Sequence, residues 1–76
     1  MEFIRNVEAY CYETRINDAE FERKCGLGKG IVYKWRKRGV NHHPSVSTLL
    51  SIERATAIPV EAWLREGGVR DALAQN

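Results

Sequence analysis

The amino-acid sequence predicts an all-α domain of five short helices. Three observations predict it. Apolar residues recur at spacings of three and four along most of the chain, the connections between these stretches are brief and carry Gly, Pro or Asn, and no stretch alternates with period two as a strand does. With 76 residues, 43% hydrophobic residues and two Trp, the chain is expected to form one domain with a modest core.

A first helix is predicted over residues 2–14, where apolar residues recur at helical spacing. Its apolar face contains Phe3, Ile4, Val7, Tyr10 and Cys11. A second helix is predicted over residues 18–25, because Asn17 is a suitable N-cap and Glu20 stands three residues later, as in a capping box. Gly26 then suits the left-handed residue that ends many helices.

A third helix is predicted over residues 29–37. Gly28 serves as its N-cap, Val32 and Trp35 face inward at a spacing of three, and Gly39 ends it. The polar loop that follows carries Asn41, His42 and His43.

Prolines mark the two remaining helices. Ser45 follows a proline and caps a fourth helix, whose broad apolar face predicts the central helix of the core. Pro59 is compatible with the first turn of a fifth helix but not with its interior. Gly67 and Gly68 are expected to stop this fifth helix, and the residues after them to form a further turn or two or to be loose.

Charge is distributed unevenly along the chain. Of its twelve basic residues, seven lie in the stretch 23–38, which contains no acidic residue, so all ten acidic residues lie elsewhere. The seven are Arg23, Lys24, Lys29, Lys34, Arg36, Lys37 and Arg38. A basic stretch on an acidic body attracts polyanions to one surface. Because Val32 and Trp35 interrupt it at helical spacing, the stretch is folded rather than a disordered tail.

The second and third predicted helices form a helix-turn-helix unit. Gly26 allows the sharp turn, and Leu27 fills the corner. Phe21, Val32 and Trp35 then fix the angle at which the two helices cross. The outer side of the later helix is held away from the body, as in proteins that insert a helix into the major groove.

The turn and third helix resemble those of the lambda-repressor-like, Cro/C1-type (XRE) DNA-binding domains. The resemblance is carried by Cys25-Gly26-Leu27-Gly28-Lys29-Gly30-Ile31-Val32-Tyr33-Lys34-Trp35. Residues 44–52 and 58–64 are similar to the fourth and fifth helices of that family, so the likeness spans residues 3–66. It implies a compact five-helix lambda-repressor-like fold that binds double-stranded DNA.

Three positions depart from the family pattern. Glu22 stands where the family usually has Ala, so either the helix crossing is altered or the side chain turns to solvent. Asp18 stands where a donor such as Gln often contacts a phosphate. Gly28 replaces the usual Ser or Thr cap, and Gly30 weakens the first turn by about 0.5–1 kcal/mol relative to Ala, which suggests a helix that becomes firm only on DNA.

The resemblance also implies the contacts with DNA. The base-reading positions are Lys29, Gly30, Tyr33 and Lys34. The phosphate-binding positions are Arg36, Lys37, Arg38, Asn41 and His42. Lysine suits guanine, whose O6 and N7 are both acceptors, whereas phosphate contacts set the register without reading sequence.

These observations predict a small prokaryotic or phage repressor that acts by operator occlusion. Because one recognition helix reads only a few base pairs, we expect a homodimer. We assign residues 1–66 to the DNA-binding domain and residues 67–76 to a C-terminal tail that is dimerising or disordered. The expected dimer contacts are Val60, Leu64, Val69 and Leu73, which could equally cover the core.

Two other functions remain open: a protein-interaction module such as an antitoxin or antirepressor, and a nucleic-acid binder without sequence preference. Nothing in the sequence predicts an enzyme, a cofactor or a small-molecule ligand. Cys11 and Cys25 are expected to be reduced, buried thiols. The alternative, a zinc site that also uses His42 and His43, lacks the spacing of a metal knuckle. Without a secretory signal or an apolar run of about 20 residues, the expected location is the cytoplasm.

Overall fold

The computed structural model describes residues 2–75 and shows an all-α architecture without strands in that range. The helices are α1 (Phe3–Thr14), α2 (Asp18–Cys25), α3 (Ile31–Arg38), α4 (Val46–Thr56), α5 (Val60–Leu64) and α6 (Gly68–Ala74). The all-α prediction is confirmed, whereas the count of five is wrong because the predicted tail supplies α6. None of the helices within this range is long and apolar enough to cross a membrane.

The N-terminal caps of α2 and α4 form as the sequence predicts. The side chain of Asn17 accepts a hydrogen bond from the Glu20 amide at 2.8 Å, and the Glu20 carboxylate accepts one from the Asn17 amide at 2.9 Å. This reciprocal pair is a capping box. Ser45 caps α4 by accepting from the Thr48 amide. Gly26, with φ of 68°, ends α2 in the left-handed conformation.

The core includes a cluster of aromatic rings contributed by α1, α2, α3 and α5. The ring of Phe3 lies edge-on to Trp35 with centroids 5.0 Å apart. Trp63 lies 5.6 Å from Tyr10 and 6.0 Å from Phe21. Trp35 and Trp63 are 3% and 0% exposed, which confirms that Trp35 faces inward and shows that Trp63 is a core residue as well. Such ring pairs stabilise a small core beyond the area that they bury.

Helix α6 packs against α1 and α5 and completes this core. Gly67, with φ of 68°, precedes α6 as its N-cap, and Gly68 is its first residue. The expectation that this glycine pair stops α5 is wrong, since α5 already ends at Leu64. Gly68 is required by close approach, because a Cβ there would collide with the backbone carbonyl of Ala62.

One buried polar side chain joins α1 to the C-terminal helices. The Asn6 amide donates to the carbonyl oxygens of Trp63 and Arg65, each at 2.8 Å. Its oxygen accepts from the Val69 amide at 3.2 Å. Asn6 is 2% exposed, so these bonds satisfy groups that are otherwise removed from water.

Candidate nucleic-acid interface

Helix α3 has a buried side and a polar outer side. Val32 and Trp35 are buried, whereas Tyr33, Lys34 and Lys37 are exposed. Residues three and four apart lie on one face of a helix, so these three side chains form a continuous stripe, which we call the outer face. The Nζ atom of Lys37 lies 5.2 Å from the centroid of the Tyr33 ring, a distance at which an ammonium group is attracted to the π face.

The turn before α3 is longer than the sequence predicts. Helix α3 begins at Ile31 with Gly30 as its N-cap, not at residue 29 with Gly28 as the cap. Gly30 adopts φ of 82°, a left-handed conformation that interrupts helical geometry at this point. Lys29 is therefore presented by the turn, as an exposed side chain that lines a surface cavity with Ala19, Arg23 and Leu27.

The side chain of Glu22, on α2, contacts the start of α3. Its side chain is buried, with 5% of the residue exposed. One carboxylate oxygen accepts from the Gly30 amide at 3.1 Å, and the other accepts from the Val32 amide at 3.0 Å. The alternative in which Glu22 turns to solvent is therefore wrong. First-turn amides lack acceptors within their own helix, and a carboxylate from α2 supplies them here.

Arg36 lies on the flank of α3 that faces α1 and α2. Its Nε donates to Glu8 at 2.9 Å, and its two terminal nitrogens donate to Asp18 at 3.1 and 3.3 Å. Hydrogen bonds to Asp18 and then to Glu8 raise the pKa of the guanidinium. The structure thus places Arg36, expected as a phosphate-binding residue, in an ion-pair network within the domain. It also explains Asp18, whose carboxylate is matched by this arginine.

Arg38 lies on the opposite flank of α3, beside the loop that leads to α4. Arg38, His42 and His43 line a surface cavity of about 420 Å³ together with Ser45 at the start of α4. Asn41 is exposed in the same loop. The structure therefore brings Arg38 and His42, both expected to bind phosphates, to one cavity. Asn41, expected to do the same, lies next to His42 in the loop.

The imidazole of His42 is partly buried and lines the same cavity as Arg38. Its Nε2 atom is buried and has no hydrogen-bond partner among residues 2–75. Burial, followed by the nearby charges of Arg38 and His43, lowers the pKa of His42. Both effects disfavour the positive charge with which His42 would attract a phosphate.

Most charges of the basic stretch have no salt-bridge partner among residues 2–75. Within the described part of the chain, the salt bridges of arginine involve Arg5, Arg36, Arg65 and Arg70, and no lysine takes part in one. Six of the seven basic residues of stretch 23–38 are therefore without an ion pair in residues 2–75: Arg23, Lys24, Lys29, Lys34, Lys37 and Arg38. Their field is directed to solvent, where it attracts polyanions.

The cysteines are separate from this surface. Cys11 and Cys25 are free and buried, as the sequence predicts, and burial raises the pKa of each thiol to about 11. No group of three or more His, Cys, Asp or Glu side chains among residues 2–75 is arranged to hold a metal ion. The zinc alternative therefore has no support in the geometry.

The expected dimer contacts mostly cover the core. Val69 is completely buried, so its assignment to a dimer surface is wrong. Val60, Leu64 and Leu73 are partly buried and packed against the core. More exposed apolar side chains are found on α4, where Val46 is 70% exposed and Leu50 is 44% exposed.

A scan against protein-family models found no matching family, and searches of curated proteins and of solved structures found no significant match. The functional interpretation of this surface therefore rests on its residues and their geometry.

Proposed function

We propose that this protein is a sequence-specific DNA-binding regulator of transcription, a small prokaryotic or phage repressor that occludes its operator. The observation that carries the proposal is the outer face of α3. Tyr33, Lys34 and Lys37 project together from a helix whose other side is anchored by Val32 and Trp35. A helix so anchored and so charged suits the major groove, where bases present hydrogen-bond acceptors and thymine methyl groups.

The contacts divide by position around α3. Lys29, Tyr33 and Lys34 read bases, and Lys37 extends the same stripe, so it adjoins the base-reading residues. The aliphatic stem of Lys34 and the ring of Tyr33 are suited to thymine methyl groups, while the ammonium group of Lys34 suits guanine. Gly30, the N-cap, keeps the approach to the groove free of a side chain. Arg38 and Asn41, on the flank beside the α3–α4 loop, bind phosphates, and His42 hydrogen-bonds there.

We also propose that the protein binds as a homodimer, since a single short helix reads too few base pairs for a useful specificity. Val60, Leu64 and Leu73 remain the proposed contacts, because they are only partly buried in the single chain. Two copies would place their recognition helices about one helical turn of DNA apart.

Selection of bound sequences from a random duplex pool, followed by gel shifts at two salt concentrations, tests the proposal. A consensus with two half-sites is expected, bound at least 10³-fold more tightly than random duplex. Each phosphate that a basic side chain neutralises is expected to add about −0.9 to the log–log salt slope.

Other outcomes identify the alternatives. No binding to DNA at low salt would reject the proposal and leave the protein-interaction module, whose partner is an acidic protein surface. Equal competition by all duplexes, or by RNA, would leave a nucleic-acid binder without sequence preference.

A further inference from the structure

The Glu22 carboxylate is a charged group in a buried position, since only 5% of the residue is exposed. A carboxylate removed from water is strongly destabilising unless hydrogen bonds compensate it. Both of its oxygens accept from backbone amides at the start of α3, at 3.1 and 3.0 Å from the nitrogens of Gly30 and Val32. The two donors flank Ile31 and belong to the N-cap and the first turn.

These bonds compensate an intrinsically weak helix start. Gly30 has no side chain with which to cap α3, and glycine samples many backbone conformations when nothing restrains it. The turn of residues 26–30 contains three glycines. Since Lys29 lies in this turn and Tyr33 in the first turn of α3, freedom there would spread the positions of both side chains.

We propose that Glu22 is a positioning residue for DNA recognition: its carboxylate locks the turn and the first turn of α3, so that Lys29 and the outer face are presented in a single geometry. This inference rests on the proposed function. It has a second consequence. Because the carboxylate already accepts from amides at the N-terminus of α3, these amides are not available to bind a phosphate. At that end of the helix, DNA is contacted by the side chain of Lys29.

Glu22→Gln tests this role with almost no change in volume. Glutamine offers one carbonyl oxygen, so one amide keeps its acceptor while the other faces an NH₂ group that cannot accept. Glu66→Gln is the matched control. Glu66 is exposed in the turn between α5 and α6 and has no hydrogen bond or salt bridge within residues 2–75. Both variants remove one negative charge and therefore change the net charge of the protein equally.

Native-state hydrogen exchange measures the lock without DNA. In the wild-type protein, the amides of Gly30 and Val32 are expected to exchange at least about tenfold more slowly than the Tyr33 amide, after correction for intrinsic rates. Tyr33 lies in the same turn, and residues 2–75 provide its amide with no backbone acceptor. Glu22→Gln is expected to remove roughly tenfold of that protection from one or both amides, and Glu66→Gln to leave it unchanged.

Binding to the selected duplex and to random duplex measures the recognition role. Glu22→Gln is expected to lower the ratio of specific to random affinity by about tenfold, with the salt slope unchanged. Glu66→Gln should preserve that ratio. A ratio equal in both variants and the wild type would overturn the inference, as would unprotected Gly30 and Val32 amides in the wild type.

Failure of the proposed function is distinguishable from failure of this inference. If the wild-type protein shows no sequence preference, the proposed function fails, and the role of Glu22 in recognition falls with it. The exchange rates then still decide whether Glu22 locks the turn. If Glu22→Gln does not fold, the comparison of the Gly30, Val32 and Tyr33 amides in the wild type still tests the lock, because it requires no variant, and unprotected Gly30 and Val32 amides still overturn the inference.

Discussion

Lys34 and Arg36 are close in sequence and both are exposed on α3, yet their surroundings differ. Arg36 donates hydrogen bonds to Glu8 and Asp18, whereas Lys34 takes part in no salt bridge within residues 2–75. A charge without a protein partner is available to a ligand, and one held by two carboxylates is not. The availability of a basic side chain to a ligand therefore depends on its position around the helix axis as well as on its charge.

Replacement of Lys34 by Ala is expected to weaken binding by about 1–3 kcal/mol at a single base-pair position and to relax specificity there. Competition with duplexes that vary one position at a time measures this effect. Lys24→Ala is the control, because Lys24 is an exposed lysine in the last turn of α2, outside the outer face. A loss from Lys34→Ala that is uniform across all duplexes would assign Lys34 to the phosphate-binding class instead.

Helix α3 is too short to be stable alone. Its eight residues lie below the roughly 12–15 at which isolated helices become marginally stable. Neighbouring elements supply the missing stability: Val32 and Trp35 pack into the core, Glu22 of α2 accepts from the first turn, and Arg36 joins the helix to α1 and α2. These contacts from α1 and α2 form in the absence of DNA, which argues against the expectation that α3 becomes firm only on DNA.

The DNA affinities of the Arg36→Met and Arg38→Met variants are expected to depend differently on salt concentration. Arg38 is proposed to neutralise a phosphate, so its loss should reduce the magnitude of the log–log salt slope by about 1. Arg36 is already paired, so its loss should leave the slope nearly unchanged and lower the free energy of unfolding by about 0–1 kcal/mol, as for exposed ion pairs. Titrations at several salt concentrations measure the slopes. Equal reductions in slope would show that Arg36 leaves its carboxylates on binding.

The whole domain is closed by contacts between its two ends. Asn6 joins α1 to the C-terminal part of the chain through the carbonyl groups of Trp63 and Arg65 and the amide of Val69. Helix α6 covers one side of the core with the buried side chain of Val69. The division into residues 1–66 and a tail from 67 therefore separates segments that share one core.

Asn6→Ala is expected to lower the free energy of unfolding by about 2–4 kcal/mol, because two carbonyl oxygens and one amide lose their partner, at least two of these bonds being buried. Urea denaturation followed by tryptophan fluorescence measures this change. Tyr12→Ala on the same helix is the control: its side chain is 78% exposed, so a change within about 0.5 kcal/mol is expected. A similarly small change in Asn6→Ala would show that water replaces these bonds at little cost.

Local signals in the sequence determined the all-α class, the bounds of α2, the caps at Asn17, Ser45 and Gly26, and the inward side of α3. Each depends on residues within about one or two helical turns, where backbone geometry alone decides which side chains meet. The tertiary structure decided the start of α3, the partners of Glu22 and Arg36, and the helical state of residues 68–74. These depend on partners 8 to 63 residues away in the chain, and whether a glutamate is buried or an arginine is paired is settled only when the helices pack.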